Sequence, residues 1–233
     1  MNHTDQEYVV VTEKLSKEYS DNGVPVLALR GVDLKIGRGE FTAIVGPSGS
    51  GKTTLLNLIS GLDSVSGGRV WLDGKLLSSM SGRELSDFRR DKIGFIFQAY
   101  NLIPVLTVEE NVEYIMLIQG VPKERRHQRV IDILDELNLK GFADRLPSKL
   151  SGGQQQRVAV ARAMVSEPAL VFADEPTANL DSKTAIELID MMRRLNETKG
   201  MTFVFSTHDT KIMQRARRLI VLKDGQVDTD ETR

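Results

Sequence analysis

A chain of 233 residues, 40% hydrophobic and 27% charged, holds enough apolar material for the core of one large globular domain. Its 31 basic and 32 acidic residues leave a net charge of −1, so nothing in the balance calls for a nucleic-acid partner. The lack of cysteine excludes disulfides and thiolate metal centres, and no apolar run approaches the roughly 18–20 residues that cross a bilayer. The polar start Met1-Asn2-His3-Thr4 does not read as a secretory signal, so a role at a membrane requires the membrane part on another chain.

In chain order, Tyr8-Val9-Val10-Val11 and Val26-Leu27-Ala28-Leu29 read as strands separated by a turn at Asp21-Asn22-Gly23. Val32-Asp33-Leu34-Lys35-Ile36 alternates like a half-buried strand, and Gly37-Arg38-Gly39 turns the chain. Tyr19, an aromatic among polar residues, reads either as a packing residue or as a stacking platform for a base. Phe41-Thr42-Ala43-Ile44-Val45 has the apolar continuity of a buried parallel strand. It runs into Gly46-Pro47-Ser48-Gly49-Ser50-Gly51-Lys52-Thr53, which fits G-x-x-x-x-G-K-[ST] without a mismatch, and Thr54 opens a helix ending near Gly61. Glycines let such a loop wrap an anion with its amides inward, and the helix start adds its positive dipole end. In this pattern Lys52 neutralises the β- and γ-phosphates of a nucleotide and the Thr53 hydroxyl binds Mg²⁺.

Arg69-Val70-Trp71-Leu72 and Asp73-Gly74 predict an edge hairpin, and residues 84–90 a short charged helix. Ile93-Gly94-Phe95-Ile96-Phe97 reads as a buried strand with Gln98 at its carboxyl end, where α/β sheets bind ligands. Thr107-Val108-Glu109-Glu110 has capping-box spacing and opens a helix toward Gln119. A second helix, with Pro122 in its first turn, runs toward Leu139, and a third runs from Ser151 to Met164. Residues 123–129 are a solvated face of mixed charge without aromatics. No strand pattern interrupts 107–164, which makes this stretch a helical insertion. Strand 169–173, helix 183–199, strand 201–205 and strand 219–222 restore the α/β rhythm, and 228–233 read as a frayed polar tail.

Two further stretches carry chemistry. Four apolar residues run into Asp174-Glu175; a strand beside that of the phosphate loop would bring Asp174 to Mg²⁺ and let Glu175 take a proton from water, a role worth about 10²–10⁴-fold in rate. Leu150-Ser151-Gly152-Gly153-Gln154 puts a hydroxyl and two glycines at a helix start, a second anion site. One loop already serves one ATP, so the second site implies a head-to-tail pair, each Ser151 region facing the other chain's ATP.

With these stretches, Ala178-Asn179-Leu180-Asp181 and His208 in the same order, residues 8–227 resemble the nucleotide-binding subunit of an ATP-binding cassette (ABC) transporter. The resemblance implies ATP and Mg²⁺ as cofactors. It also implies that Tyr19 stacks on adenine, that residues 46–54 hold the phosphates, and that Gln98 senses Mg²⁺ and the attacking water. By the same resemblance Ser151 and Gly153 grip the γ-phosphate across a homodimer, Asp181 links the two sites, and His208 holds the γ-phosphate. Phe97-Gln98-Ala99-Tyr100-Asn101-Leu102-Ile103-Pro104 with Glu110-Asn111-Val112 is similar to the macrolide-export and lipoprotein-release branch, which the cell-division cassette FtsE shares in part. The expectation is a P-loop NTPase of RecA-like α/β type. Its core and N-terminal antiparallel β subdomain span about 8–97 and 167–227, its helical subdomain about 98–166. Such a chain works as a peripheral ATPase on the cytoplasmic face of the inner membrane, closing as a dimer to drive a permease. The rival readings are an ABC-type switch without a transporter, disfavoured by the lack of long coiled coils, and a mechanical regulator of a periplasmic hydrolase.

Overall fold

The computed structural model describes residues 7–21 and 24–233; Asn22 and Gly23, in the expected hairpin turn, lie outside the described residues. The chain forms β1 (Tyr8–Asp21), β2 (Val24–Gly37), β3 (Phe41–Val45), α1 (Lys52–Ile59), β4 (Gly67–Leu72), β5 (Lys75–Leu76), α2 (Gly82–Lys92) and β6 (Ile93–Ile96). It continues with α3 (Val108–Ile118), α4 (Lys123–Glu136), α5 (Gly152–Met164), β7 (Leu170–Asp174), α6 (Ser182–Lys199), β8 (Phe203–Ser206), α7 (Thr210–Arg215), β9 (Arg218–Lys223) and β10 (Gln226–Thr232).

β1 and β2 make one long antiparallel hairpin, so the two strands expected at 26–29 and 32–36 are a single strand carried through Gly31 at φ 77°. Tyr19 lies inside β1, opposite Val26. β4 and β5 complete a sheet ordered β2-β1-β4-β5. Their connection is the expected Asp73-Gly74 turn, with both residues at positive φ (48° and 73°), as a type I′ hairpin requires.

The second sheet runs β10-β9-β3-β8-β7-β6, with every pairing from β9 to β6 parallel. All five residues of β3 are buried, as befits a strand covered on both faces. Alternation divides its side chains between two layers. Phe41, Ala43 and Val45 enter one cluster with Val112, Leu134, Val160 and Met192 of the helices. Ile44 enters another with Leu55 and Leu58 of α1 and Leu15, Leu29 and Val70 of the antiparallel sheet. The central sheet is thus sandwiched between a helical layer and a small β layer, the α/β arrangement the sequence predicts.

Three expectations need correction. β7 does not lie beside β3: β8 is inserted between them, paired with both. The tail is not frayed: β10 extends the sheet antiparallel to β9, and Asp230 takes two hydrogen bonds from Arg218, each 2.7 Å. Pro122 precedes the first turn of α4 rather than sitting in it. α7 has no counterpart among the predicted elements. It is one and a half turns long, too short for a readable 3.6-residue period.

Candidate active site

The carboxyl ends of β3, β8, β7 and β6 open on one side of the parallel sheet, where α/β folds form crevices. A cleft of about 650 Å³ lies there. The loop after β3 supplies Gly46, Ser48, Gly49, Gly51, Lys52, Thr53 and Thr54; the ends of β6, β7 and β8 supply Gln98, Asp174, Glu175 and His208. Ala28 and Ser206, which belong to no motif, line it too.

The loop is shaped by steric necessity. Gly46 has φ 151°, and a Cβ there would stand 2.1 Å from the Leu222 carbonyl oxygen. Gly51 has φ 100°, and its Cβ would meet the Ala28 carbonyl oxygen at 2.7 Å. α1 begins at Gly51 with no side chain capping its first turn, whereas α2, α3, α5 and α6 are capped by Ser81, Thr107, Ser151 and Asp181. The amides of that turn have no acceptor within the helix and carry its positive dipole end, an anion cradle aimed at the cleft. Lys52 Nζ donates to the carbonyls of Gly46 (2.8 Å) and Pro47 (2.9 Å), which anchors its charge over the loop. Pro47 and Ser50 belong to the loop without lining the cleft.

Opposite the loop, the Glu175 carboxylate is held by the turn after β8. Thr207 Oγ1 donates to Oε2 (3.1 Å), and the His208 amide (3.2 Å) and Nδ1 (2.6 Å) meet Oε1. An ionised carboxylate only accepts, so the imidazole proton of this pair sits on Nδ1. Glu175 itself has φ 45°, unusual for a residue other than glycine, asparagine or aspartate. Gln98 is tied from behind: its carbonyl accepts from Asn179 Nδ2 at 2.9 Å.

Thr53 and Asp174 offer a hydroxyl and a carboxylate in the same cleft. Among the described residues no cluster of three His, Cys, Asp or Glu could hold a metal. Two oxygen donors suit Mg²⁺, which keeps waters and takes phosphate oxygens rather than a full protein cage.

Four predicted residues lie apart from the cleft. Tyr19 is 39% exposed, donates to Asp63 Oδ2 at 2.8 Å, and has Lys17 Nζ 4.9 Å from its ring centroid. Burial and the Asp63 hydrogen bond push its phenol pKa up, opposed by the nearby Thr54 hydroxyl; Thr54 lines the cleft, so Tyr19 is the cleft's neighbour. Ser151 Oγ accepts the Gln154 amide (3.3 Å), and Gln154 Oε1 accepts the Ser151 amide (2.9 Å), a complete capping box. Asp181 caps α6 through the Lys183 and Thr184 amides (both 3.0 Å). The hydrogen bonds from the Thr184 hydroxyl and amide hold its carboxyl below the usual range. A Cβ on Gly153 would stand 2.5 Å from Thr184 Cγ2, so Ser151, Gly153 and Asp181 form one surface where the starts of α5 and α6 meet.

A protein-family model described as ABC transporter matches residues 29–178. An uncharacterized ABC transporter ATP-binding protein of Methanocaldococcus jannaschii, MJ0796, is 43% identical over 227 residues, covering 96% of this chain and 97% of that protein. The macrolide export ATP-binding/permease protein MacB of Brucella melitensis is 42% identical over 221 residues; the match covers 95% of this chain and 34% of MacB. A dimeric structure of the MJ0796 cassette in a post-hydrolysis state, bound to ADP and Pi, aligns with a TM-score of 0.86 at 43% identity, over 96% of this chain and 98% of that one. With the phosphate loop, the acidic strand end and the fold in agreement with these matches, the chain belongs to the ATP-binding, ATP-hydrolysing proteins of the ABC transporter family.

Proposed function

We propose that the chain hydrolyses ATP in the cleft described above, as a homodimer that drives a separate membrane subunit of the lipoprotein-release or macrolide-export type. In this reading it is a single ABC domain, with core and β subdomain at about 8–97 and 167–227 and a helical part at about 98–166. The observation that carries the reading is the convergence of Lys52, Thr53, Gln98, Asp174, Glu175 and His208, from four separate stretches, on one cleft.

The loop amides and Lys52 bind the β- and γ-phosphates, and Tyr19 stacks on the adenine, a contact worth roughly 1–3 kcal/mol. Thr53, Asp174 and Gln98, which line the same cleft, would hold Mg²⁺. When bound, Mg²⁺ neutralises charge on the phosphates. Glu175 accepts a proton from the attacking water; its Oε1 takes His208 Nδ1, and Nε2 donates to the γ-phosphate in the imidazolium form, in which both ring nitrogens carry protons. Ser151 and Gly153 of a second copy close on the γ-phosphate, with Asp181 beside them; the dimeric form of the MJ0796 cassette supports this.

MacB, about a third of which this chain matches, is named an ATP-binding/permease protein, which supports a membrane permease as the partner. No helix among the described residues is long and apolar enough to cross a membrane. The segment from Gln98 to Asn111 and the exposed apolar side chains Val105, Tyr114, Leu117 and Ile118 are the proposed contact with that subunit at the cytoplasmic face of the inner membrane.

Glu175→Gln is expected to lower ATPase activity at least about 10²-fold and to shift the protein to a dimer in Mg-ATP on size-exclusion chromatography. Unchanged turnover with no dimer would overturn the mechanism. Capture from native membranes with the same variant then identifies the partner. A permease with a large extracytoplasmic domain supports the proposal, a cell-division partner moves it to mechanical signalling, and recovery of only ribosomal or nucleic-acid proteins removes the transporter reading.

A further inference from the structure

Beyond the last β7–β8 register pair, Asp174 with Ser206, the two strands hand over to turns that carry Glu175 and His208. The turns stay joined by a short ladder. Its first rung is the Glu175 amide donating to the Ser206 carbonyl at 2.9 Å. Its second is the Thr207 hydroxyl on the Glu175 carboxylate. Its third lies outside the cleft: Thr177 Oγ1 donates to Asp209 Oδ2 at 2.8 Å. Thr177 and Asp209 each stand three residues past the end of their strand.

Thr177 is 3% exposed, so its hydroxyl is withdrawn from water and satisfied by Asp209. A valine of the same shape would fill that space without needing a partner. Asp209 divides its carboxylate: Oδ1 accepts the Lys211 amide at 2.8 Å and starts α7, while Oδ2 takes Thr177. Its own amide donates to Thr207 Oγ1 at 2.9 Å, the same hydroxyl that holds Glu175. Thr177, Thr207 and Asp209, none of which lines the cleft, therefore fix the two turns to each other.

We propose that Thr177 and Asp209 are positioning residues for hydrolysis, whose hydrogen bond locks the turn of Glu175 against the turn of His208. Neither residue lines the cleft. It keeps Glu175, with its left-handed backbone, and the imidazole in register as the cleft works. The inference rests on the reading of Glu175 and His208 as the reacting pair.

The test compares Thr177→Val, Thr177→Ser and Thr177→Ala with the wild-type chain and Glu175→Gln. Loss of one hydrogen bond to a charged group predicts a kcat lower by about 10-fold or more for Thr177→Val, with Thr177→Ser restored to within about threefold. Affinity for a fluorescent ATP analogue, read without turnover, is expected to stay within about twofold, because the phosphate loop is untouched. A wild-type kcat in Thr177→Val overturns the proposal. So does a loss that serine does not rescue, or one matched by an equal loss of nucleotide affinity, since either marks a merely structural role. Should Thr177→Val not fold, Thr177→Ala decides, because it also removes the donor and leaves the Asp209 cap of α7 in place: lower kcat with unchanged affinity supports the proposal, wild-type kcat overturns it. Full activity in Glu175→Gln would instead sink the underlying site reading, whatever the Thr177 variants do.

Discussion

Lys52 and its glycines were readable because their requirement is local: the backbone itself must turn, wrap and donate. The price of a side chain in that loop follows from two distances. Gly46→Ala puts a methyl against the Leu222 carbonyl at a φ that alanine rarely adopts. A loss of more than about 1 kcal/mol of stability is expected, with ATP-analogue binding abolished, checked by thermal denaturation and titration. Other contributions to the site are not local. Tyr19 is oriented by Asp63, 44 positions on, which also pairs with Lys17 at 2.8 Å. Burial pushes the Asp63 carboxyl up, but hydrogen bonds from Lys17, Tyr19 and Ser64 outweigh it and hold it below the usual range. Nothing in the order of residues announces such a triad. Ala28 enters the cleft wall only because β2 packs its backbone against Gly51.

At the scale of elements, helix starts were the most legible feature, because a capping box is a four-residue pattern. The box of Thr107 with Glu110 forms as its spacing predicts, and Ser151 with Gln154 forms a second at a helix start that reads in the sequence only as an anion site. Ser151 Oγ accepts the Gln154 amide within its own chain, which leaves its hydroxyl proton to donate to an anion. The segment between β6 and α3 has no regular structure and depends on one side chain. Asn111, fully buried, accepts the Ile103 amide (2.7 Å) and donates to the carbonyls of Ile103, Leu106 and Thr107. Asn111→Ala is expected to cost about 2–4 kcal/mol in chemical denaturation, with faster amide exchange at Ile103. β10 escaped notice for the opposite reason: Val227 is its one apolar residue, and its place is set by pairing with β9 and by the Arg218–Asp230 contact.

Across the whole molecule, composition and α/β rhythm predicted the class, but strand order came from long-range pairing that no window of sequence contains. The layers are also joined by charge. Asp73, in the turn of the β layer, meets Arg38 at 2.5 Å and Lys92 at the end of α2 at 2.9 Å. Burial raises its pKa, but the hydrogen bonds from Lys92 and Arg38 outweigh that and hold it below the usual carboxylate range. A carboxylate depressed on folding adds stability above its unfolded pKa, near 3.9, and loses it as the pH falls through the folded value. The stability gap between wild type and Asp73→Asn, measured by denaturant titration, should therefore be full at pH 7 and narrow from about pH 4 downward. A gap independent of pH would assign Asp73 a packing role instead.

The insertion of β8 between β3 and β7 also bears on how the chain is made. Both neighbours of β3, β8 and β9, lie at residue 203 or later. Emerging from the ribosome, the phosphate loop therefore sits on a strand that is apolar but for Thr42, with no partner while some 160 residues follow it. Parallel pairings of such separation form slowly and leave apolar edges exposed meanwhile. Nucleotide can be gripped only when the last strands dock, so catalytic competence arrives together with completion of the sheet, and shielding of residues 41–45 until then falls to chaperones or to the β1–β2 hairpin already made.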